Sequence, residues 1–352
     1  MRSRGIRSVA TLTALCAALA ACSAPSGGTA VRGPLTAVGT GIQGSAISAW
    51  RNGWVKDFPE TSLNFSPDGS RVGIDALSTG QAYFAPIDVP LTAEDIARSR
   101  QACGPDGAFS VPVAVIPLGV AFNLPSVKNL KLTPEVLGAI FSGQVTSWDD
   151  PAIALLNPAA NLPDQAIVPV RAKEKSVLTR TATDYLAQGH SAWQTGLEWP
   201  AGAAGEEVRK YSDVASKLDD TAGSIAFLEK ASIGSRFDTV LLDFGRGFVR
   251  MNDDALAQSI SSGTVGAGPG GSVTFTPASA GGDGYRLWTV TYQAFCSEYS
   301  NEALNRLVRS WGSFVVGDGG QGNSTYFAGV SSPNGKALNQ AKDRIEEIGS
   351  AR

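Results

Sequence analysis

The sequence predicts an α/β fold with largely parallel sheets, and three observations lead there. Apolar strand-like runs alternate with helix-like runs along most of the chain. Glycine-bearing turns recur between a strand and the helix after it. Of 352 residues, 43% are hydrophobic and only 17% charged, which suits two packed domains and excludes a disordered chain or a long coiled coil. Thirty-two acids against 29 bases argue against a surface that coats nucleic acid. A single histidine, His190, sharply limits catalysis and metal binding, and neither a triad with a histidine base nor a zinc site built on several His is expected.

Taken in order, residues 35–38 read as a strand, followed by a glycine-rich turn and a helix over about 45–58. A second strand is expected at 62–65, a short helix at 74–79 and a third strand at 82–85. The nearly continuous apolar run 111–120 suits a buried strand. Thr133-Pro134-Glu135 has a hydroxyl to cap a helix, proline in its first turn and then an acid, so a helix opens there and ends at Gly143. Residues 167–170 form another expected strand with a helix over 176–186 behind it, and 224–228 and 240–242 two more strands. Residues 262–284 are glycine-rich without apolar period and read as a long loop. Leu304, Leu307, Val308, Trp311 and Val315 share one helical face, as do Leu338, Ala341, Ile345 and Ile348. No internal repeat is present.

At the amino terminus Arg2, Arg4 and Arg7 precede an apolar run over 9–21, too short to span a bilayer comfortably. A basic head, a short apolar stretch and small residues describe an export signal over 1–21. Leu19-Ala20-Ala21-Cys22 resembles the lipobox of bacterial lipoproteins, in which the Cys sulfur takes a diacylglycerol; an ordinary secretory signal is the alternative. Cleavage removes three Arg and no acid, taking the net charge from -3 to -6. Residues 22–34 have the small, polar composition of a flexible tether. Cys103 and Cys296 then remain, and outside the cytoplasm they are expected to pair, two buried thiols being the alternative. The protein is expected to be exported and held at the outer face of the cell membrane by lipid alone.

Gly39-Thr40-Gly41-Ile42-Gln43-Gly44 matches G-x-G-x-x-G between a strand and a helix. Three readings are open: a dinucleotide site, a bare tight turn, and an oxyanion site where unpaired N–H groups at a helix start face the ligand. The second strand lacks a clear acid at its carboxyl end and an exported protein has little access to free NAD, which favours the oxyanion. A second such turn runs from Asp68 to Gly73, and a third candidate is Arg171-Ala172-Lys173-Glu174-Lys175-Ser176. Asp88 ends the third strand, where it faces the same crevice of a parallel α/β sheet. A carboxylate beside an anion is costly unless it accepts a proton the anion carries. That singles out phosphate over sulfate at neutral pH.

Four stretches now make a resemblance specific: residues 39–50, 65–77, 141–171 and 222–229. The third, FSGQVTSWDDPAIALLNPAANLPDQAIVPVR, is the most diagnostic. Nearly the whole chain after the signal resembles the PstS-type phosphate-binding lipoproteins, solute receptors of phosphate ABC importers. The resemblance implies a two-lobed periplasmic-binding-protein fold (the Venus-flytrap, type II arrangement) with a hinge. Lobe I would hold residues 35–114 plus 286–352, lobe II residues 115–285. It places Gln43, Ser70, Asp88, Arg171 and Ser176 on phosphate. The third turn departs from the family: Ala172 falls at the clamping Arg position with Arg171 one residue early, Glu174 replaces Asp, and Val177-Leu178 replace Gly-Thr.

Three readings of function follow. The first is a monomeric receptor for inorganic phosphate that docks on the permease and ATPase subunits of an ABC importer, with no cofactor, no metal and no nucleic-acid partner. The second is a lipoprotein that kept the fold, lost the anion and recognises another ligand or a cell-surface partner. The third, an exported hydrolase, has no G-x-S-x-G motif and only solvated acid pairs at Asp149-Asp150, Asp219-Asp220 and Asp253-Asp254, so the protein is expected not to be an enzyme.

Overall fold

The computed structural model describes residues 30–189, 193–277 and 283–350. Cys22, with the expected signal, and His190 lie outside the described residues. Strand β1 (Gly33–Val38) leads through a 3-10 turn into helix α1 (Gly44–Asp57), then β2 (Thr61–Ser66), α2 (Ser70–Ser78), β3 (Phe84–Ile87), α3 (Ala93–Cys103) and the long strand β4 (Ala108–Phe122). Every residue of β4 is buried, as its unbroken apolar run requires. The middle of the chain continues with β5 (Lys131–Leu132), α4 (Pro134–Phe141), α5 (Pro151–Leu156), β6 (Val168–Ala172), α6 (Val177–Leu186), β7 (Glu206–Val208), α7 (Val214–Asp220) and β8 (Ser224–Glu229). It goes on through α8 (Lys230–Ile233), β9 (Asp238–Thr239), β10 (Leu241–Asp243), β11 (Phe248–Val249), α9 (Asp253–Ser261), β12 (Thr264–Ala267) and β13 (Val273–Thr276). The chain returns along β14 (Trp288–Cys296) and closes with α10 (Glu302–Val316), α11 (Asp318–Ala328) and α12 (Gly335–Glu346).

The main sheet runs β2-β1-β3-β14-β4-β8-β6-β7, with β9 also pairing with β4. Its two ends are parallel: β2 and β3 flank β1 on one side, and β8, β6 and β7 lie side by side on the other. Its centre is antiparallel, because β14 runs against both β3 and β4, and β4 runs against β8. The expectation of largely parallel sheets is thereby corrected to a mixed sheet. The strand responsible, β14, brings residues near the carboxyl end back between two strands from the first third of the chain. Strand β4 serves both parallel ends: residues 108–117 pair with β14, and 118–122 with β8.

Two aromatic clusters pin the helices to this frame. Near β14, Trp311 stacks on Phe84 at 5.1 Å and meets Trp54 edge-on at 5.4 Å. Near β8, Phe141 stacks on Trp199 at 5.0 Å and tilts against Phe227 at 5.3 Å. Such pairs contribute about 0.5–1.5 kcal/mol each beyond their buried area. Cys103, the last residue of α3, is bonded to Cys296 at the end of β14, as expected.

Two local expectations are revised. Residues 262–284 hold an antiparallel hairpin of β12 and β13 instead of one loop, with Val273 and Phe275 buried behind the glycines. The helix expected over 74–79 begins at Ser70, because Gly69, at φ 97°, takes a backbone shape other residues avoid and turns the chain into the helix early.

Candidate functional site

The carboxyl ends of β1, β2 and β3 lie together, and the turns that leave them are tied by backbone hydrogen bonds. Gly39 N–H donates to Ser66, Thr40 N–H to Pro86 and Gly69 N–H to Gly39, at 3.1, 2.8 and 2.8 Å. Two glycines of these turns are dictated by contact. A Cβ on Gly39 would stand 2.0 Å from the Pro86 carbonyl oxygen, and one on Gly73 would stand 2.2 Å from that of Val38. Gly44, by contrast, has open space around it, so the last glycine of the G-x-G-x-x-G pattern is not needed for close packing. That removes one physical basis of the dinucleotide reading.

Helix α2 starts at this edge with no side chain capping it. Its first-turn N–H groups therefore look for partners outside the helix, with the positive end of its dipole behind them. Ser70 Oγ donates to Asp88 Oδ2 at 2.7 Å and accepts from the Asp88 N–H at 3.0 Å. The other carboxyl oxygen, Oδ1, is buried and meets no donor in good geometry. Burial pushes the Asp88 carboxyl above the ordinary carboxylate range, against the pull of the nearby Thr40 and Ser70 hydroxyls. A carboxyl in this position accepts a hydrogen bond from any guest that brings a proton.

The other expected residues are placed differently. Gln43 is fully buried: its Nε2 donates to the Tyr292 carbonyl at 2.7 Å and its Oε1 accepts from Gln293 Nε2 at 3.3 Å. Gln293 Oε1 accepts in turn from Trp311 Nε1 at 3.0 Å, so the Gln43 side chain belongs to a polar relay under the turn. Arg171 sits beside Glu207 in the β6–β7 register; its Nη1 donates to Glu207 Oε1 at 2.6 Å and its Nε to the Ala204 carbonyl at 3.3 Å. Ser176 caps α6, its Oγ accepting from the Leu178 N–H at 3.1 Å. Glu174 accepts from the Tyr211 N–H, and Lys175 pairs with Glu198. The cations of the third turn are thus largely engaged with local acids.

Beyond Asp88 opens a cleft of about 640 Å³ between the end of β3, helix α6, the end of β13 and the start of β14. Val177, Arg180, Asp184, Arg286, Trp288 and Tyr292 are among its walls. Val177 lines this space without closing it, and Leu178 packs into the interior. Burial raises the Asp184 carboxyl, while the charge of Arg180 one helical turn away and the Thr195 hydroxyl pull it down. Arg180, Asp184 and Arg286 were not singled out from the sequence. The spacing Ser176–Arg180–Asp184 along one face of α6 carries a signal that could have found two of them. Arg286 could be placed only by recognising β14.

Of the acid pairs, Asp150 caps α5, Asp219 pairs with Arg236, and Asp253 and Asp254 lie in the first turn of α9. Among the described residues no group of three or more His, Cys, Asp or Glu is arranged to hold a metal ion, and no helix is long and apolar enough to cross a membrane.

The PBP superfamily domain model matches residues 24–319. The chain is 29% identical over 306 residues to phosphate-binding protein PstS 3 of Mycobacterium tuberculosis, covering 83% of this chain and 82% of that one. It is 25% identical over 301 residues to PstS 2 of the same species, covering 82% and 80%. Among solved structures, it is similar to the periplasmic phosphate-binding protein PfluDING at a TM-score of 0.67 and 16% identity, covering 88% and 93%. The phosphate-binding protein of Stenotrophomonas maltophilia follows at 0.63 and 15%, covering 88% and 93%. The structural likenesses show the fold, the two-lobed α/β arrangement of periplasmic binding proteins.

Proposed function

The chain belongs to the PBP superfamily, and from that premise we propose that it is an extracytoplasmic receptor that binds inorganic phosphate between two lobes and hands it to an ABC importer. The names of its mycobacterial relatives support this reading. The observation that carries it is the buried Asp88 carboxyl, held by Ser70 at the uncapped start of α2 with Oδ1 free to accept. Phosphate at neutral pH keeps a proton to give Asp88, and its remaining oxygens accept from the first-turn N–H groups of α2. Sulfate has no such proton and would set its charge against the carboxylate. From the other lobe the start of α6, where Ser176 caps the helix, is the partner this reading assigns to the anion on closure. Gln43 contributes by fixing the backbone of the first turn.

Lobe I is residues 35–114 with 286–352 and lobe II residues 115–285, so β4 and the approach to β14 form the hinge. Binding draws the lobes together by as much free energy as the anion's preference for the closed state. The closed receptor docks, as a monomer, on the importer's permease, which works with its ATPase. Cys22 carries the lipid that keeps the protein at the outer face of the membrane. The pairing of Arg171 with Glu207 favours the second reading, a receptor that lost its anion, but the Ser70–Asp88 arrangement has no use in that case.

Equilibrium dialysis of the purified protein against radiolabelled phosphate tests the proposal. One phosphate per chain, not displaced by excess sulfate, is expected. No retained label would refute it.

A further inference from the structure

The cleft holds two acids, Asp88 and Asp184, and two cations, Arg180 and Arg286. Arg180 and Asp184 face each other across one turn of α6 and compensate one another. Asp88 and Arg286 are left. Arg286 lies in the approach to β14, where its guanidinium packs 5.5 Å from the centre of the Phe244 ring and its Nη2 donates to the Phe244 carbonyl at 2.5 Å. Phe244 is itself braced edge-on by Tyr185 at 5.6 Å and Tyr285 at 5.3 Å, so the group is carried on a rigid aromatic layer. Its Nε is buried without a hydrogen-bond partner, and no carboxylate among the described residues is within ion-pairing distance of it. A guanidinium has five donors, and only one is in use here.

We propose that Arg286 is the cation that grips the anion in this cleft, opposite Asp88, in the role the sequence assigned to Arg171. The proposal rests on the phosphate reading and adds to it the residue that supplies charge. Arg171 cannot serve from where it stands, since Glu207 and the Ala204 carbonyl hold it and it lies outside the walls of the cleft. Arg286 offers a planar fork already oriented by Phe244, so little side-chain freedom is lost when phosphate oxygens meet it. The two ends of the site then divide the work. Asp88 takes the proton-bearing oxygen and Arg286 the charged ones.

Calorimetry with inorganic phosphate on the purified protein, comparing Arg286→Gln, Arg286→Lys, Arg171→Gln and the surface control Arg236→Gln, tests this. Arg286→Gln is expected to weaken phosphate at least about 30-fold, a charge-assisted pair of roughly 2 kcal/mol. Arg286→Lys keeps the charge without the fork and falls between, and Arg236→Gln stays at the unmodified value. Melting temperatures report whether each variant is folded. If Arg286→Gln does not fold, Arg286→Lys decides: a loss of fivefold or more supports the assignment and unchanged affinity overturns it. Binding within threefold of the unmodified protein in Arg286→Gln overturns it, as does loss of binding in Arg171→Gln with Arg286→Gln intact. In those cases the phosphate reading stands. Absence of binding by the unmodified protein ends both.

Discussion

Replacing Asp88 with Asn should make the protein more stable and a poorer receptor, and the structure gives the size of both effects. Asp88 Oδ2 accepts from Ser70, whereas Oδ1 is buried without a donor. A buried acceptor left unsatisfied costs about 1–3 kcal/mol, and Asp88 is only partly hidden from solvent, so the lower half of that range applies. In Asp88→Asn the carbonyl oxygen goes on accepting from Ser70, and an uncharged amide takes the place of Oδ1. Because burial holds the folded-state carboxyl above its unfolded value, the folded protein binds the proton more readily. Stability is therefore lost as pH rises from the unfolded carboxylate value through the raised one. Asp88→Asn should melt about 2–3 °C above the unmodified protein at pH 7 without phosphate. The gap should shrink toward zero as the pH falls below about 4, where the carboxyl is protonated in both states. The same change should weaken phosphate by about 10–100-fold through loss of the proton acceptor. Calorimetric melting from pH 3.5 to 8 reads the first effect and titration with phosphate the second. A variant that melts lower at pH 7, or a gap that does not change with pH, would refute the reasoning.

Three further outcomes are expected. Ser70→Ala removes the donor to Asp88 Oδ2 and the acceptor of the Asp88 N–H, and should weaken phosphate about tenfold in titration while lowering the melting temperature. Gln43→Leu leaves the buried Gln293 Nε2 without its acceptor and the Tyr292 carbonyl without the Gln43 donor, so urea unfolding should show a loss of about 2 kcal/mol. Replacing Cys103 and Cys296 together by Ala frees a separation of 193 residues in the unfolded chain, and urea unfolding should show a loss of about 2–5 kcal/mol.

Features governed by neighbouring residues were legible in the sequence. Thr133 caps its helix as expected, because a hydroxyl followed by a free N–H two or three residues on is a local arrangement, whereas Ser176, expected on the ligand, caps α6. The position of Asp88 at the cleft edge is legible because a strand end in an α/β sheet faces a crevice wherever the rest of the chain goes. What escaped depended on β14. Its residues 288–294 alternate apolar and polar without a break, a strand signal the reading of the chain passes over, and they form the antiparallel middle of the sheet. The resemblance puts Gln43 on the ligand, whereas the Tyr292 carbonyl of β14 draws it inward. Arg286 was overlooked with β14 unplaced. The Arg171 expectation followed the family's spacing, and the acid that captures Arg171, Glu207, becomes visible as its partner only once β6 and β7 lie side by side.

The most direct measurement is a pair of titrations of the purified protein at pH 7.5, one with phosphate and one with sulfate, followed by heat. A proton acceptor at Asp88 requires a single phosphate site with sulfate at least about a thousandfold weaker, since the charge-assisted bond to Asp88 is lost and a repulsion between two like charges takes its place. Equal heats from both anions, or none from either, would contradict it.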